Sequence, residues 1–142
     1  MINTRLLREE ADVVRASMAK RGLSSEPVDR ALAADTVRRQ AIADFETLRA
    51  EQKARGKEVA KASGDEKQAL LAEVKQLAAD VKAAEERLND AEAEWVAAWK
   101  AIPNVAADEA PAGGEDDFVV LERVGTPRDF AAEGFEPRDH IE

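Results

Sequence analysis

Cysteine is absent and histidine occurs once, at His140, in a chain of 142 residues. The first absence excludes disulfides, thiol catalysis and cysteine-based metal sites, and it fits the cytosol. The second excludes any histidine triad or cluster. Aromatic residues make up 4% of the chain, so it can fill the seam between helices but not a thick core. No apolar run approaches the roughly 18 residues that a membrane span needs. The start, Met1-Ile2-Asn3-Thr4-Arg5, lacks the apolar stretch of a secretion signal. A soluble, cytoplasmic protein is expected. Gly113-Gly114 is not followed by the lysine and helix of a phosphate loop. Glu115-Asp116-Asp117 clusters carboxylates in a flexible loop, where they ordinarily stay solvated, so no metal site is assigned.

The formal net charge is −9, an average that conceals an uneven distribution. Residues 1–48 are neutral, residues 49–82 carry +2 and residues 83–142 carry −11. The acid therefore belongs to the end of the chain, and only the middle leans positive. Opposite signs at the two ends of an elongated body orient it toward a polyanion.

What the chain does have is a long apolar seam. Leu70, Val74, Leu77, Val81, Ala84, Leu88, Ala91, Trp95, Ala98 and Ile102 alternate steps of three and four without interruption. Such a run requires a long partner helix. The same spacing read backwards from Ser63-Gly64-Asp65 gives Val59, Gly56, Gln52, Arg49, Phe45, Ile42, Arg38, Asp35, Ala31 and Val28. The pattern predicts an antiparallel coiled-coil hairpin with helices over about 27–62 and 66–102. At 1.5 Å per residue the first of these would be roughly 54 Å long.

A shorter helix is predicted over about 4–20, ended by Arg21-Gly22, and it should pack at the hairpin base. There it would cover a second apolar stripe, Ala34, Val37, Ala41 and Leu48, beside the seam. Toward the tip the seam thins to Arg49, Gln52 and Gly56, so little area is buried and the distal arm should be mobile. The fold class is therefore all-α, with residues 1–103 as an arm. Residues 104–142 are expected to form an acidic loop, one strand candidate over 118–124 and a linker. A single strand cannot make a sheet, so its partners are expected elsewhere and the chain looks truncated.

The residues resemble a known family at this point. Met1-Ile2 with Leu6-Leu7-Arg8-Glu9, the hairpin segments Leu48-Arg49-Ala50-Glu51-Gln52-Lys53 and Gly56-Lys57-Glu58-Val59, and Ile102-Pro103-Asn104 resemble the N-terminal region of bacterial seryl-tRNA synthetases. So do Pro111 with Gly113 to Asp117, Gly125-Thr126-Pro127-Arg128 and Pro137-Arg138-Asp139-His140. The likeness runs in order over essentially the whole chain. Many members carry Asn-Pro where this chain has Glu10-Ala11, which is expected to smooth the first helix, and His-Pro where it has Ala106-Ala107.

The resemblance implies a class II, homodimeric serine-tRNA ligase that charges tRNA(Ser) with serine, using ATP and magnesium. Its hairpin would grip the long variable arm and elbow of the tRNA, typically across the dimer. The catalytic domain is expected to begin just after Glu142, so these 142 residues are expected to bind and not to catalyse. The alternative is a structural hairpin, either free-standing or of the prefoldin kind. A prefoldin tip would be apolar, whereas Lys61-Ala62-Ser63-Gly64-Asp65 is polar.

The candidate tRNA-binding residues are Arg49, Lys53, Arg55, Lys57 and Lys61 on the second helix and Lys67, Lys75 and Lys82 on the third. Recognition of folded RNA through its phosphates wants cations along a rigid rod. Arg49, Lys53 and Lys57 recur at intervals of four and share a stripe, which Lys61 would extend. The competing reading is a solvated flank pairing with Glu51 or Glu58. Trp95 and Trp99 are expected to be core residues, and Arg38 to pair with Asp35.

Overall fold

The structure is a computed structural model, and it describes residues 2–136 and 138–140. Four α-helices carry the architecture: α1 (Thr4–Glu9), α2 (Ala11–Lys20), α3 (Glu26–Val59) and α4 (Gly64–Lys100), followed by one turn of 3₁₀ helix (Glu115–Asp117). The expected hairpin is present. Helix α3 starts after Ser24, whose hydroxyl accepts the Glu26 N–H at 3.1 Å, and Pro27 lies in its first turn. It ends at Val59, slightly before the expected boundary, and α4 begins at Gly64 rather than at residue 66. Gly64 has φ +61, a left-handed conformation that glycine adopts without strain. Pro103 lies just beyond the end of α4.

Burial follows the seam. On α4 Ala84, Trp95, Ala98 and the following Ile102 are buried, and Leu70, Val74, Leu77, Val81, Leu88 and Ala91 are half-buried. On α3 Val28, Ala31 and Asp35 are buried, whereas Arg49 and Gly56, also seam positions, are exposed. Leu48 is the half-buried neighbour instead. The core gathers at the base, where Ile2, Leu7, Val14 and Met18 close over Val28, Ala31, Trp95 and Ala98.

Two expectations fail at that base. The N-terminal segment is two helices, not one, with Glu10 between them at φ −135 and ψ 44. No proline is needed for this break. Arg8 of α1 engages Asp35 and Arg15 of α2 engages Asp29, so docking at two levels of α3 overrides a sequence without a breaker. The short helices also cover less than expected. Ala34 is buried, but Val37 is 61% exposed and Ala41 and Leu48 are only half-buried.

Helix α2 ends as its sequence dictates. The Leu23 N–H donates to Met18 O and the Gly22 N–H to Ala19 O, both at 3.0 Å, with Gly22 at φ +66. That is the double closure favoured by glycine just past a helix. The segment after Pro103 packs back onto this end of α2. Farther on, residues 118–124 form no strand among the described residues, with Leu121 94% and Val124 86% exposed. Arg128 stands 5.3 Å and 5.6 Å from the rings of Phe130 and Phe135. Met1 of the opening Met1-Ile2, and Pro137 and Ile141–Glu142 of the expected linker, lie outside the described residues.

Candidate nucleic-acid interface

Over residues 49–82 the rod sorts its charges by side; nearer the base the sorting fails, with Glu46, Glu85 and Glu92 on the same side as the lysines. With Arg49, Gly56, Lys67 and Val74 at heptad position a, Lys53 is at e, Lys57, Lys75 and Lys82 are at b, and Arg55 and Glu73 are at g. Because the helices run in opposite directions, like-lettered flanks of α3 and α4 lie on the same side of the rod. The 3.7 Å contact between Arg55 and Glu73 joins the two g positions across one side, in keeping with this register.

The e/b side carries Lys53, Lys57, Lys75 and Lys82, with Arg49 and Lys67 leaning toward it from a positions. Among the described residues, Lys53, Lys57, Lys67 and Lys75 are exposed and have no ion-pair partner. Lys82 stands 4.0 Å from Glu86 with both side chains largely solvated, a contact of little energetic weight. The Arg49 guanidinium lies 5.5 Å from the Phe45 ring, which holds its stem along the rod and leaves the cation at the surface.

The g/c side is acidic, with Asp44, Glu51, Glu58, Glu66, Glu73 and Asp80. Arg55 belongs here, apart from the lysines with which the sequence grouped it. It bonds Glu58 at 2.8 Å and approaches Glu73. Glu58, first through this hydrogen bond and then through its charge, pushes the guanidinium pKa up, and Glu73 adds to the effect. Lys61 does not extend the α3 stripe either. It lies in the turn after α3, at a small groove shared with Arg55, Glu58, Glu66 and Leu70. Nearer the base the same side has an open groove of about 440 Å³ floored by Val37, Ala41, Ala84 and Ala91.

The aromatic and arginine residues of the base are structural. Trp95 is 8% exposed, and it stacks on Trp99 at 5.2 Å between centroids with planes 8° apart. The Trp99 indole N–H donates to Ile2 O at 3.0 Å. Arg38 lies 4.6 Å above the Trp95 ring and is ion-paired with Glu92 of α4, not with Asp35 as expected. Asp35 lies three residues before Arg38 on the same helix, whereas Glu92 becomes its neighbour only through the packing of α4 on α3. Arg30 and Glu94, at 2.6 Å, make another bridge between the helices.

Among the described residues no three acidic or histidine side chains converge as a metal site requires. Neither ATP nor magnesium chemistry is assigned to any residue here.

Fold and surface together define a class: a helical-hairpin arm, clamped at its base by short helices, with one cationic and one acidic flank. Comparison with known proteins places it more closely. The seryl-tRNA synthetase N-terminal domain matches residues 1–106, and the chain belongs to that family. It is 66% identical over its whole length to a serine–tRNA ligase of Nocardioides and 61% identical to that of Micrococcus luteus. It spans 34% and 33% of the lengths of these relatives. Seryl-tRNA synthetase from Pyrococcus horikoshii, solved in complex with ATP, shares the fold. The TM-score is 0.74 and the identity 24%, over 82% of this chain and 27% of that one.

Proposed function

We propose that this chain is the tRNA-binding arm of a serine-tRNA ligase, gripping the long variable arm and elbow of tRNA(Ser). The observation that carries the reading is the one-sided charge of the distal part of the rod, over residues 49–82. Lys53, Lys57 and Lys75 are exposed and unpaired among the described residues on one flank, while acids occupy the other. A cation-bearing rod suits the phosphates and overall shape of folded RNA, whose deep major groove hides its bases from side chains. The contacting set is Arg49, Lys53, Lys57, Lys67, Lys75 and Lys82, with Lys61 at the tip and Arg55 turned away.

The names of the relatives support extending the proposal beyond this chain. A class II catalytic domain of the same polypeptide would attach serine to the bound tRNA using ATP and magnesium, in a cytoplasmic homodimer. The arm itself supplies binding and orientation, and performs no chemical step.

The test is titration of tRNA(Ser) with the 142-residue chain, with and without the variable arm of the RNA. Weak, salt-sensitive binding that disappears on removing the variable arm is expected. Equal affinity for any tRNA would overturn specific recognition.

A further inference from the structure

Three residues near the end of α2 hold the connector that leaves the hairpin after Pro103. Ser17 Oγ accepts the Ala106 N–H at 2.7 Å. Lys20 Nζ donates to the carbonyls of Ala107, Asp108 and Ala110 at 3.2, 2.8 and 3.3 Å, and the Lys20 carbonyl accepts the Gly113 N–H at 2.8 Å. Arg21 Nη2 donates to Asn104 O at 2.9 Å. An ammonium has three donors, and here each meets a backbone carbonyl of one short segment. Acids are close in sequence, at Asp108 and Glu109, yet Lys20 has no ion-pair partner among the described residues. Its charge is directed at the shape of the connector.

The place of this clasp matters. The family match ends at residue 106, inside the clasped segment, and the chain is a third of the length of its relatives. The connector is therefore the joint between arm and remaining polypeptide in those proteins. We propose that Lys20 is a positioning residue, which fixes the direction of the arm by locking residues 104–113 onto α2. This inference rests on the tRNA-arm reading. An arm that binds RNA from a loose joint delivers it to many places; a locked joint delivers it to one. Small misplacements of a reacting group are costly in rate, about a hundredfold for 1 Å.

The experiment compares Lys20→Met and Lys20→Gln with wild type. It uses the 142-residue chain, and a chimera in which this chain replaces the corresponding third of the Nocardioides ligase. In the chain, amide exchange at Ala106 and Gly113 should accelerate about tenfold or more, while the amides of α3 and α4 keep their protection. In the chimera, kcat for serylation should fall about tenfold with KM for tRNA within roughly twofold. ATP–pyrophosphate exchange, which needs no tRNA, should not change. Unaltered protection at Ala106 and Gly113 overturns the clasp. A loss confined to KM overturns positioning in favour of direct RNA contact, and an equal loss in pyrophosphate exchange overturns it in favour of general damage. A wild-type chain that fails to bind tRNA defeats the arm reading instead, while the exchange measurement still decides the clasp.

Discussion

Arg8 grips Asp35 with two parallel bonds, Nε to Oδ2 at 2.7 Å and Nη2 to Oδ1 at 2.6 Å. The Asp35 side chain is 5% exposed and that of Arg8 40%, so the carboxylate is sealed at the base of the hairpin and the guanidinium forms its lid. Forked geometry of this kind fixes orientation as well as supplying attraction. It seats α1 at one level of α3.

Arg8→Met should therefore destabilise the base by about 2 kcal/mol. Fully buried pairs lose roughly 3–5 when one partner is removed, and the solvated arginine lowers the figure here. The double variant Arg8→Met/Asp35→Leu should recover much of the loss, because no charge is left buried. Urea unfolding of the two single variants and the double closes the cycle. Asp35 raises the Arg8 pKa chiefly through its hydrogen bond; desolvation opposes the shift, and the charge of Asp35 adds a smaller upward push. A raised basic pKa stabilises the fold below the unfolded value and ceases to do so above the folded one. The arginine should thus add no pH dependence near neutrality, and its contribution should disappear only in strong alkali.

Leu7 is 1% exposed and packs in the same core as Trp95 and Ala98. Leu7→Ala removes side-chain volume from a site closed by α1, at a cost of about 3 kcal/mol. Because α1 and α2 are short, the expected outcome is release of the N-terminal helices while α3 and α4 remain paired. Loss of tryptophan near-ultraviolet dichroism with far-ultraviolet helicity largely retained would show it. Concerted loss of both signals would mean that the hairpin depends on its base for folding.

The hairpin was legible because an unbroken alternation of threes and fours along α4 has few other solutions. Its ends were legible from Pro27, Gly64 and Pro103. The break at Glu10 was not, since it arises from where Arg8 and Arg15 find partners on α3. Pairing across the rod was harder still. Arg38 with Glu92 and Arg55 with Glu73 are separated by 54 and 18 positions, and choosing them requires the register of both helices at once. The cationic stripe at Arg49, Lys53 and Lys57 followed from spacing, but the opposing acidic side emerged only when α4 was laid beside α3. The connector carries no periodic signal, and nothing in the sequence marks Lys20 as its partner.

Gly56 sits in the helical interior of α3, and a Cβ there would meet nothing within 4 Å. Glycine costs a helix about 0.5–1 kcal/mol relative to alanine through backbone entropy. Gly56→Ala should stabilise the distal arm by that amount and slow amide exchange on α3 near residue 56 and in the facing part of α4 near Val74. The base, already well packed, should be unaffected. Destabilisation would show that the hairpin at this level does not tolerate a side chain at position 56.

The separation of charge by side makes the last prediction quantitative. Lys53→Glu/Lys57→Glu reverses two adjacent cations on the e/b flank, and Arg55→Gln removes one on the g/c flank, only a turn away. If net charge alone attracted RNA, both variants would weaken binding in proportion to charge removed. If one side of the rod lies on the phosphates, the lysine pair should lose at least about tenfold in tRNA affinity. Its log–log salt slope should shrink by roughly 1.5, near 0.7–0.9 per lost phosphate contact. Arg55→Gln should change affinity by less than about twofold, because its guanidinium is already engaged by Glu58 and Glu73. Titrations at several salt concentrations measure both quantities, with helicity checked by circular dichroism. Comparable losses in the two variants would mean that RNA touches both flanks, and the acidic side would then need another explanation.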